Sequence, residues 1–301
     1  MNQSVVIVIP ALNEEEGIGK VLDEIGELNG FNCEIVVVDG GSTDRTVQIA
    51  SAKHAKVIFQ RGKGYGNALQ EGFDYASQSL NASIIVMIDA DGTYLPSEIN
   101  RFLPTIVQNG AGLVIGNRFA GLTAGAMSFT NRLGNHILSF AARWALKIDV
   151  SDTQCGMRAI RASLWKQLDM KAYGMPFAIE MLAEAREVGT IVEVPITYLP
   201  RIGSSKLAPS RDGISIAITI LRLARDYQPL LFFGGIGAVL ILLGILLGIV
   251  VVVEWLQTGV ITRTSSVVLS STLLLGGGLV LVLGLVADMI KNVKRFLRRR
   301  I

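Results

Sequence analysis

The sequence predicts an α/β protein: a mostly parallel sheet with helices on both faces, followed by a C-terminal helical hairpin of membrane-spanning length. Three observations predict it. Up to Gly116, short runs that are apolar at every position alternate with segments of helical periodicity, as expected of strands buried on both faces. Pro, Asp and Gly punctuate the carboxyl ends of those runs, the edge where such sheets bind ligands. After Pro229 come two uncharged stretches, each longer than the roughly 20 residues a helix needs to cross a bilayer core.

The elements follow in order. Val5 to Pro10 is a continuous apolar run ended by proline, a buried strand. Ile18, Val21, Leu22, Ile25 and Leu28 recur at helical spacing. Glu34 to Asp39 is the next strand, and Ser42-Thr-Asp44 supplies N-cap chemistry for a helix through about Ala52. Val57 to Phe59 is a short strand, Gly64 to about Ser79 a helix, and Ile84 to Asp89 a third strong strand. A helix with proline at its start runs from Pro96 to about Gln108, before a strand over Leu113 to Gly116.

Composition agrees with a membrane anchor. Only 18% of the 301 residues are charged, against about 25% in a soluble domain. Two cysteines, Cys33 and Cys155, exclude a disulfide scaffold. The net charge of +3 hides an asymmetry: Lys291, Lys294, Arg295, Arg298, Arg299 and Arg300 crowd the last eleven positions, leaving 22 basic and 25 acidic residues before them. The body is therefore not a nucleic-acid binder by charge, and the tail is a separate device. Leu230 to Val253 and Ser265 to Ala287 are the uncharged spans. The basic tail predicts a cytoplasmic C-terminus, and two crossings place the large N-terminal part on the same side.

Chemistry concentrates at the strand ends. Asp89 and Asp91, at i and i+2 of an extended chain, point the same way and form a hard oxygen site for Mg²⁺ or Mn²⁺; a solvated Asp-Gly turn is the plainer alternative. Asp39 precedes Gly40-Gly41 and a helix start, where glycine permits close approach to a ligand. The first strand turn, Pro10-Ala-Leu-Asn-Glu14, lacks the G-x-G-x-x-G of a dinucleotide site. Arg61-Gly-Lys-Gly-Tyr-Gly66 brings two cations and three glycines to the same edge, suited to phosphate, and no Walker A Lys-Ser/Thr follows.

Seven segments between Val5 and Lys206 occur in a fixed order: IPALNEEEGI, VVDGGSTDRT, GKGYGNAL, DADGTY, GNRF, DTQCGMRAI and PITYLPRIGSSK. Together they resemble the family 2 glycosyltransferases of the GT-A fold, and among them the dolichyl-phosphate (polyprenyl-phosphate) mannose and glucose synthases. The Q-x-x-R-W signature of processive members is missing, since Phe140 stands at the Gln position before Arg143-Trp144. The resemblance implies that Pro10, Leu12, Asn13, Glu14 and Asp39 hold base and ribose, with Lys63 near the base or phosphates. It implies that Asp89, Ala90 and Asp91 meet the nucleotide sugar, the two acids through Mg²⁺ or Mn²⁺. A Gln common two residues after the second Asp is Thr93 here, which leaves the third metal ligand open. Arg118 and Arg132 match residues that grip the acceptor phosphate. Arg201, Ser205 and Lys206 match a segment that closes over the diphosphate, and Asp152 lies in a stretch near the acceptor.

The implied reaction moves a sugar from a nucleotide sugar to dolichyl or polyprenyl phosphate, with inversion. UDP-glucose or UDP-N-acetylhexosamine is the favoured donor and GDP-mannose the alternative; a nucleotide-binding membrane partner without catalysis is the remoter rival. Ile137, Leu138, Phe140, Ala141, Trp144 and Ala145 follow Arg132 as an apolar face for the lipid tail, and residues 214–226 read as an interfacial helix. His54 reads as a solvent-facing helix end. The expected organisation is a cytosolic catalytic domain over 1–209, an interfacial helix over 210–228, two transmembrane helices over 229–290 and a basic cytosolic tail over 291–301. A prokaryotic cell membrane is the expected location.

Overall fold

The computed structural model describes residues 4–25, 32–203 and 209–298. The chain forms two compact units, Met1–Ile220 and Leu221–Ile301. The first is built on seven strands: β1 (Ser4–Ala11), β2 (Asn32–Asp39), β3 (Lys56–Phe59), β4 (Ile84–Met87), β5 (Leu113–Leu122), β6 (Arg158–Arg161) and β7 (Ile191–Tyr198). They lie in the order β3-β2-β1-β4-β6-β5-β7. Every neighbouring pair is parallel except those of β6, which runs antiparallel to both β4 and β5.

Residues Val5 to Ile9 of β1 are all fully buried. Side chains alternate across a strand, so both faces of the sheet centre are covered. The helices of this unit are α1 (Ile18–Glu24), α2 (Thr46–Ala52), α3 (Tyr65–Gln78), α4 (Ile99–Val107), α5 (Phe129–Leu146), α6 (Ala162–Trp165) and α7 (Phe177–Val188). Gly72 lets α3 lie close on the sheet: a Cβ there would sit 2.5 Å from Val8 and 2.8 Å from Val38. Phe73 of α3 meets Trp165 of α6 edge-on at 4.8 Å and Phe177 of α7 at 6.2 Å, which joins the three helices on one side.

Four sequence expectations are corrected. β4 stops at Met87, so Asp89 lies just past the strand and Asp91 in the turn that follows. Ser42 does not cap α2; its hydroxyl accepts from Asn13 N at 2.9 Å, and Asp44 Oδ1 takes Thr46 N at 2.9 Å instead. The helix expected from Pro96 opens with a 3₁₀ turn over Pro96–Glu98 before α4. Leu28, at the end of the first expected helix, lies outside the described residues. The short strand expected over Leu113 to Gly116 extends to Leu122.

α8 (Pro209–Tyr227) runs across the division between the two units. The second unit contains α9 (Pro229–Thr258) and α10 (Thr264–Arg298). Both are long and apolar enough to cross a membrane. They pack on each other through small residues: a Cβ on Gly237 would lie 2.7 Å from the Gly277 carbonyl oxygen, and one on Gly277 2.8 Å from that of Gly237. Ser270 Oγ donates to the Gly244 carbonyl at 2.8 Å, closing the seam as small and hydroxyl residues do between apolar helices.

Candidate active site

The parallel strands deliver their carboxyl ends to one edge of the sheet. Because β6 is reversed, the residues that enter it, Asp152 to Met157, arrive at that same edge. The register Met87↔Arg158, extended by two residues, sets Gly156 opposite Asp89.

The loops after β1 and β2 are stapled together. Asn13 adopts a left-handed conformation (φ 53°), and its Oδ1 accepts from Thr43 N at 2.7 Å. Glu14 N donates to Thr46 Oγ1 at 2.8 Å, and Glu15 N to Asp44 Oδ2 at 3.1 Å. Asp39 is buried, and its carboxylate accepts from Gly41 N at 3.0 Å and Ser42 N at 3.1 Å. Leu12 projects beside this staple with 44% of its surface exposed, an apolar platform of the kind that receives a flat ring. Pro10 is half-buried and Lys63 exposed at the same edge.

The acidic pair sits at the centre. Asp91 is buried; its Oδ1 accepts from Thr93 N at 3.0 Å and Thr93 Oγ1 at 2.6 Å. Its Oδ2 pairs with Arg201 Nη1 at 2.5 Å, while Arg201 Nη2 pairs with Glu14. Asp89 Oδ1 accepts from the Tyr65 hydroxyl at 2.8 Å. Burial, and after it the like charge of Asp91, push Asp89 up to about 7, against the pull of the Tyr65 hydroxyl, Arg118 and Arg201. Two carboxylates this close call for a cation, and Arg201 already answers part of that call. Among the described residues no third carboxylate, His or Cys completes a cluster. The donor set fits Mg²⁺ or Mn²⁺, which commonly take one or two carboxylates and fill the other positions with phosphate oxygens and water. Thr93, turned onto Asp91, directs its hydroxyl to the carboxylate. Ala90 is buried between the acids, and its carbonyl oxygen would lie 2.6 Å from a Cβ on Gly17.

Arg118 is buried and held by a carboxylate. Its Nε and Nη2 donate to Asp152 at 2.6 and 2.8 Å, and its guanidinium lies 5.3 Å from the Tyr198 ring centroid. Asp152 is fully buried, and its N–H donates to Glu193 Oε1 at 2.8 Å. The stretch is further fixed by Arg158, which is also fully buried. Its guanidinium donates to three backbone carbonyls: Cys155 at 2.9 Å, Ala178 at 2.7 Å and Thr153 at 2.9 Å. Burial pushes the Cys155 thiol up to about 12, as suits a side chain packed in the core. Glu180, a carboxylate in reach of the same region by sequence, spends its Oε2 on Lys171 N at 3.0 Å and Ala172 N at 2.7 Å.

Arg132 stands exposed on α5. The same helix turns Phe129, Leu133, Ile137, Phe140 and Trp144 outward, each at least half exposed, while Ser139, Ala142, Ala145 and Leu146 face inward. Of the apolar face expected from sequence, Ala145 is thus core. His136 stacks on Phe119 with ring centroids 3.9 Å apart, and with Asn117, Phe140, Arg143 and Ser151 they line a cavity of about 580 Å³. His54 is exposed after α2. Ser205 and Lys206 lie outside the described residues. Sequence reasoning missed Tyr65, Tyr94 and Arg158, although each sits inside a motif it had singled out.

This arrangement has known counterparts. Residues 6–168 match the model of the family described as Glycosyl transferase family 2. Glycosyltransferase AglJ of Haloferax volcanii is 33% identical over 99% of this chain and 97% of its own length. The dolichyl-phosphate hexose transferase of the same organism is 34% identical over 73% of this chain and 93% of its own. Among solved structures, glucosyl-3-phosphoglycerate synthase of Mycobacterium tuberculosis, in complex with Mn²⁺, UDP and glucosyl-3-phosphoglycerate, matches with a TM-score of 0.60 at 25% identity, over 74% of this chain and 80% of that one. With the strand-end acids, the GT-A-like sheet and a full-length relative in agreement, the chain belongs to glycosyl transferase family 2.

Proposed function

We propose that this glycosyltransferase moves a hexose from a nucleotide sugar to dolichyl or polyprenyl phosphate, with inversion at the anomeric carbon. The observation that carries the reading is α5. It exposes five large apolar side chains beside Arg132, in a chain that ends in two helices of membrane-spanning length. A lipid with a phosphate head and an apolar tail matches that surface, and the dolichyl-phosphate hexose transferase of Haloferax volcanii is a relative over most of its own length.

In the reaction an oxygen of the acceptor phosphate attacks the anomeric carbon as the bond from that carbon to the nucleotide diphosphate breaks. A phosphate monoester loses its second proton near pH 6, so the nucleophile is already anionic and no general base is needed. Pro10, Leu12, Asn13, Glu14 and Asp39 hold base and ribose. Asp89 and Asp91, with Ala90 between them, hold the divalent cation, which when bound offsets charge gathering on the leaving diphosphate. Arg201, Lys63 and Lys206 add positive charge there. Arg132, and Arg118 from its mount on Asp152, face the acceptor phosphate. UDP-glucose or a UDP-N-acetylhexosamine is the donor, in line with the UDP held by glucosyl-3-phosphoglycerate synthase.

The test is to incubate membranes carrying the chain with dolichyl phosphate, Mn²⁺ and a panel of radiolabelled nucleotide sugars. A single β-linked lipid-phosphate hexose formed from a UDP-sugar is expected. Product from GDP-mannose alone would reassign the donor. Sugar appearing only on water-soluble acceptors would overturn the lipid acceptor. In the same assay Arg132→Ala raises the KM for lipid phosphate by roughly ten- to a hundredfold, the loss of one charge-assisted contact of about 1.5–3 kcal/mol, and leaves the KM for nucleotide sugar unchanged.

The spans anchor the catalytic unit with both ends in the cytoplasm, the sense favoured by the basic tail. Single cysteines placed by Thr258→Cys and Asn292→Cys, in a chain lacking Cys33 and Cys155, report it. An impermeant thiol reagent applied to intact cells should label the first and spare the second. The reverse pattern would invert the topology.

A further inference from the structure

The first carboxylate of the acidic pair is gripped from two sides by groups that the reaction itself does not use. On one side the Tyr65 hydroxyl donates to Asp89 Oδ1 at 2.8 Å. On the other, a Cβ on Gly156 would lie only 2.3 Å from Asp89 Oδ2, so that oxygen fills the space a side chain would take. Gly156 cannot retreat, because its N–H donates to the Tyr94 hydroxyl at 2.7 Å. Tyr94 is itself buried and packs edge-on against Tyr198 at 5.4 Å.

Tyr65 is fixed as firmly. It opens α3 directly after Gly64, whose φ of 97° and close approach to the Tyr173 carbonyl, 2.5 Å from where a Cβ would be, exclude other residues. Gly66, next in the chain, would place a Cβ 2.6 Å from the Ala172 carbonyl. The segment that carries the hydroxyl is therefore pressed against the 172–174 backbone and cannot drift away from Asp89.

We infer that Tyr65 is the positioning residue of the metal site: its hydroxyl holds the Asp89 carboxylate against the stop formed by Gly156, so that the carboxylate meets a divalent cation without a search of rotamers. This rests on the reading of Asp89 and Asp91 as the metal-holding pair. Partners of metal-ligating carboxylates tune affinity through such hydrogen bonds, and their loss typically costs ten- to a hundredfold in metal binding. A hydroxyl that merely satisfied a buried acid would affect folding and leave metal affinity alone.

The test is Mn²⁺ binding to the purified full-length chain in detergent, followed by electron paramagnetic resonance with and without UDP. Tyr65→Phe keeps the ring and removes only the hydroxyl. It should raise the Mn²⁺ dissociation constant by about ten- to a hundredfold, leave metal-free UDP binding unchanged, and raise the Mn²⁺ concentration needed for half-maximal turnover while kcat at saturating Mn²⁺ recovers. Gly156→Ala, which pushes Asp89 from the opposite side, should weaken Mn²⁺ in the same direction. Parental Mn²⁺ affinity in Tyr65→Phe, with or without a lowered unfolding midpoint, overturns the positioning role alone. A parent chain that binds no Mn²⁺ in either condition overturns the metal reading, and the inference with it.

Discussion

Asp91→Ala should lower kcat by about a hundred- to a thousandfold while the chain still folds. Removing a single preorganised group that stabilises developing charge costs about 10²–10³ in rate, and Asp91 is one of the two carboxylates assigned to the cation. The cost to folding is smaller. Thr93 loses the acceptor for its N–H and hydroxyl, but Arg201 keeps its pairing with Glu14. The check is turnover at saturating Mn²⁺ beside a thermal melt. Near-parental activity, indifferent to a chelator, would remove the pair from the metal site.

Arg118→Ala should act mainly on stability. Because Arg118 is a proposed grip on the acceptor phosphate, its loss would also raise the KM for lipid phosphate. In the fold it is buried against a fully buried Asp152 through two hydrogen bonds. Breaking such a pair from one side leaves the buried carboxylate to two backbone N–H donors, those of residue 118 and Gln154, at about 3–5 kcal/mol. For a domain of this size that corresponds to a fall of roughly 6–20 °C in unfolding midpoint. Replacing both partners, as Arg118→Met with Asp152→Leu, should recover much of it, because an apolar pair carries no desolvation cost. An unchanged midpoint would overturn the structural share of its role.

The mounting of Arg118 shows what the sequence could and could not carry. β1, β2 and β4 were legible because a strand buried on both faces must be apolar at every position. β6 was not: it reads Arg158-Ala-Ile-Arg161, and nothing local reveals that Arg158 is buried among three carbonyls. β7 hides for a similar reason, with Glu193 and Pro195 inside it. The acidic pair was legible as a motif, yet its setting was not, since the strand ends at Met87. Tyr65 sat in a glycine-rich segment read for phosphate, and only the fold brings its hydroxyl to Asp89, 24 positions away. Pairings over such separations, like that of Arg118 and Asp152, leave no periodicity to detect.

The reversal of β6 has a consequence for how this enzyme can change over generations. β5 and β6 are antiparallel neighbours, so everything from Thr123 to Val150, α5 included, is the tip of one long hairpin whose two ends are fastened side by side in the sheet. Closing a longer or shorter loop between fixed ends costs little, since the entropy grows only with the logarithm of length. The groups assigned to the donor lie elsewhere, after β1, β2, β3, β4 and β7. Recombination at the base of a single hairpin can therefore exchange the segment proposed to meet the acceptor while the turns proposed to hold the nucleotide are inherited intact.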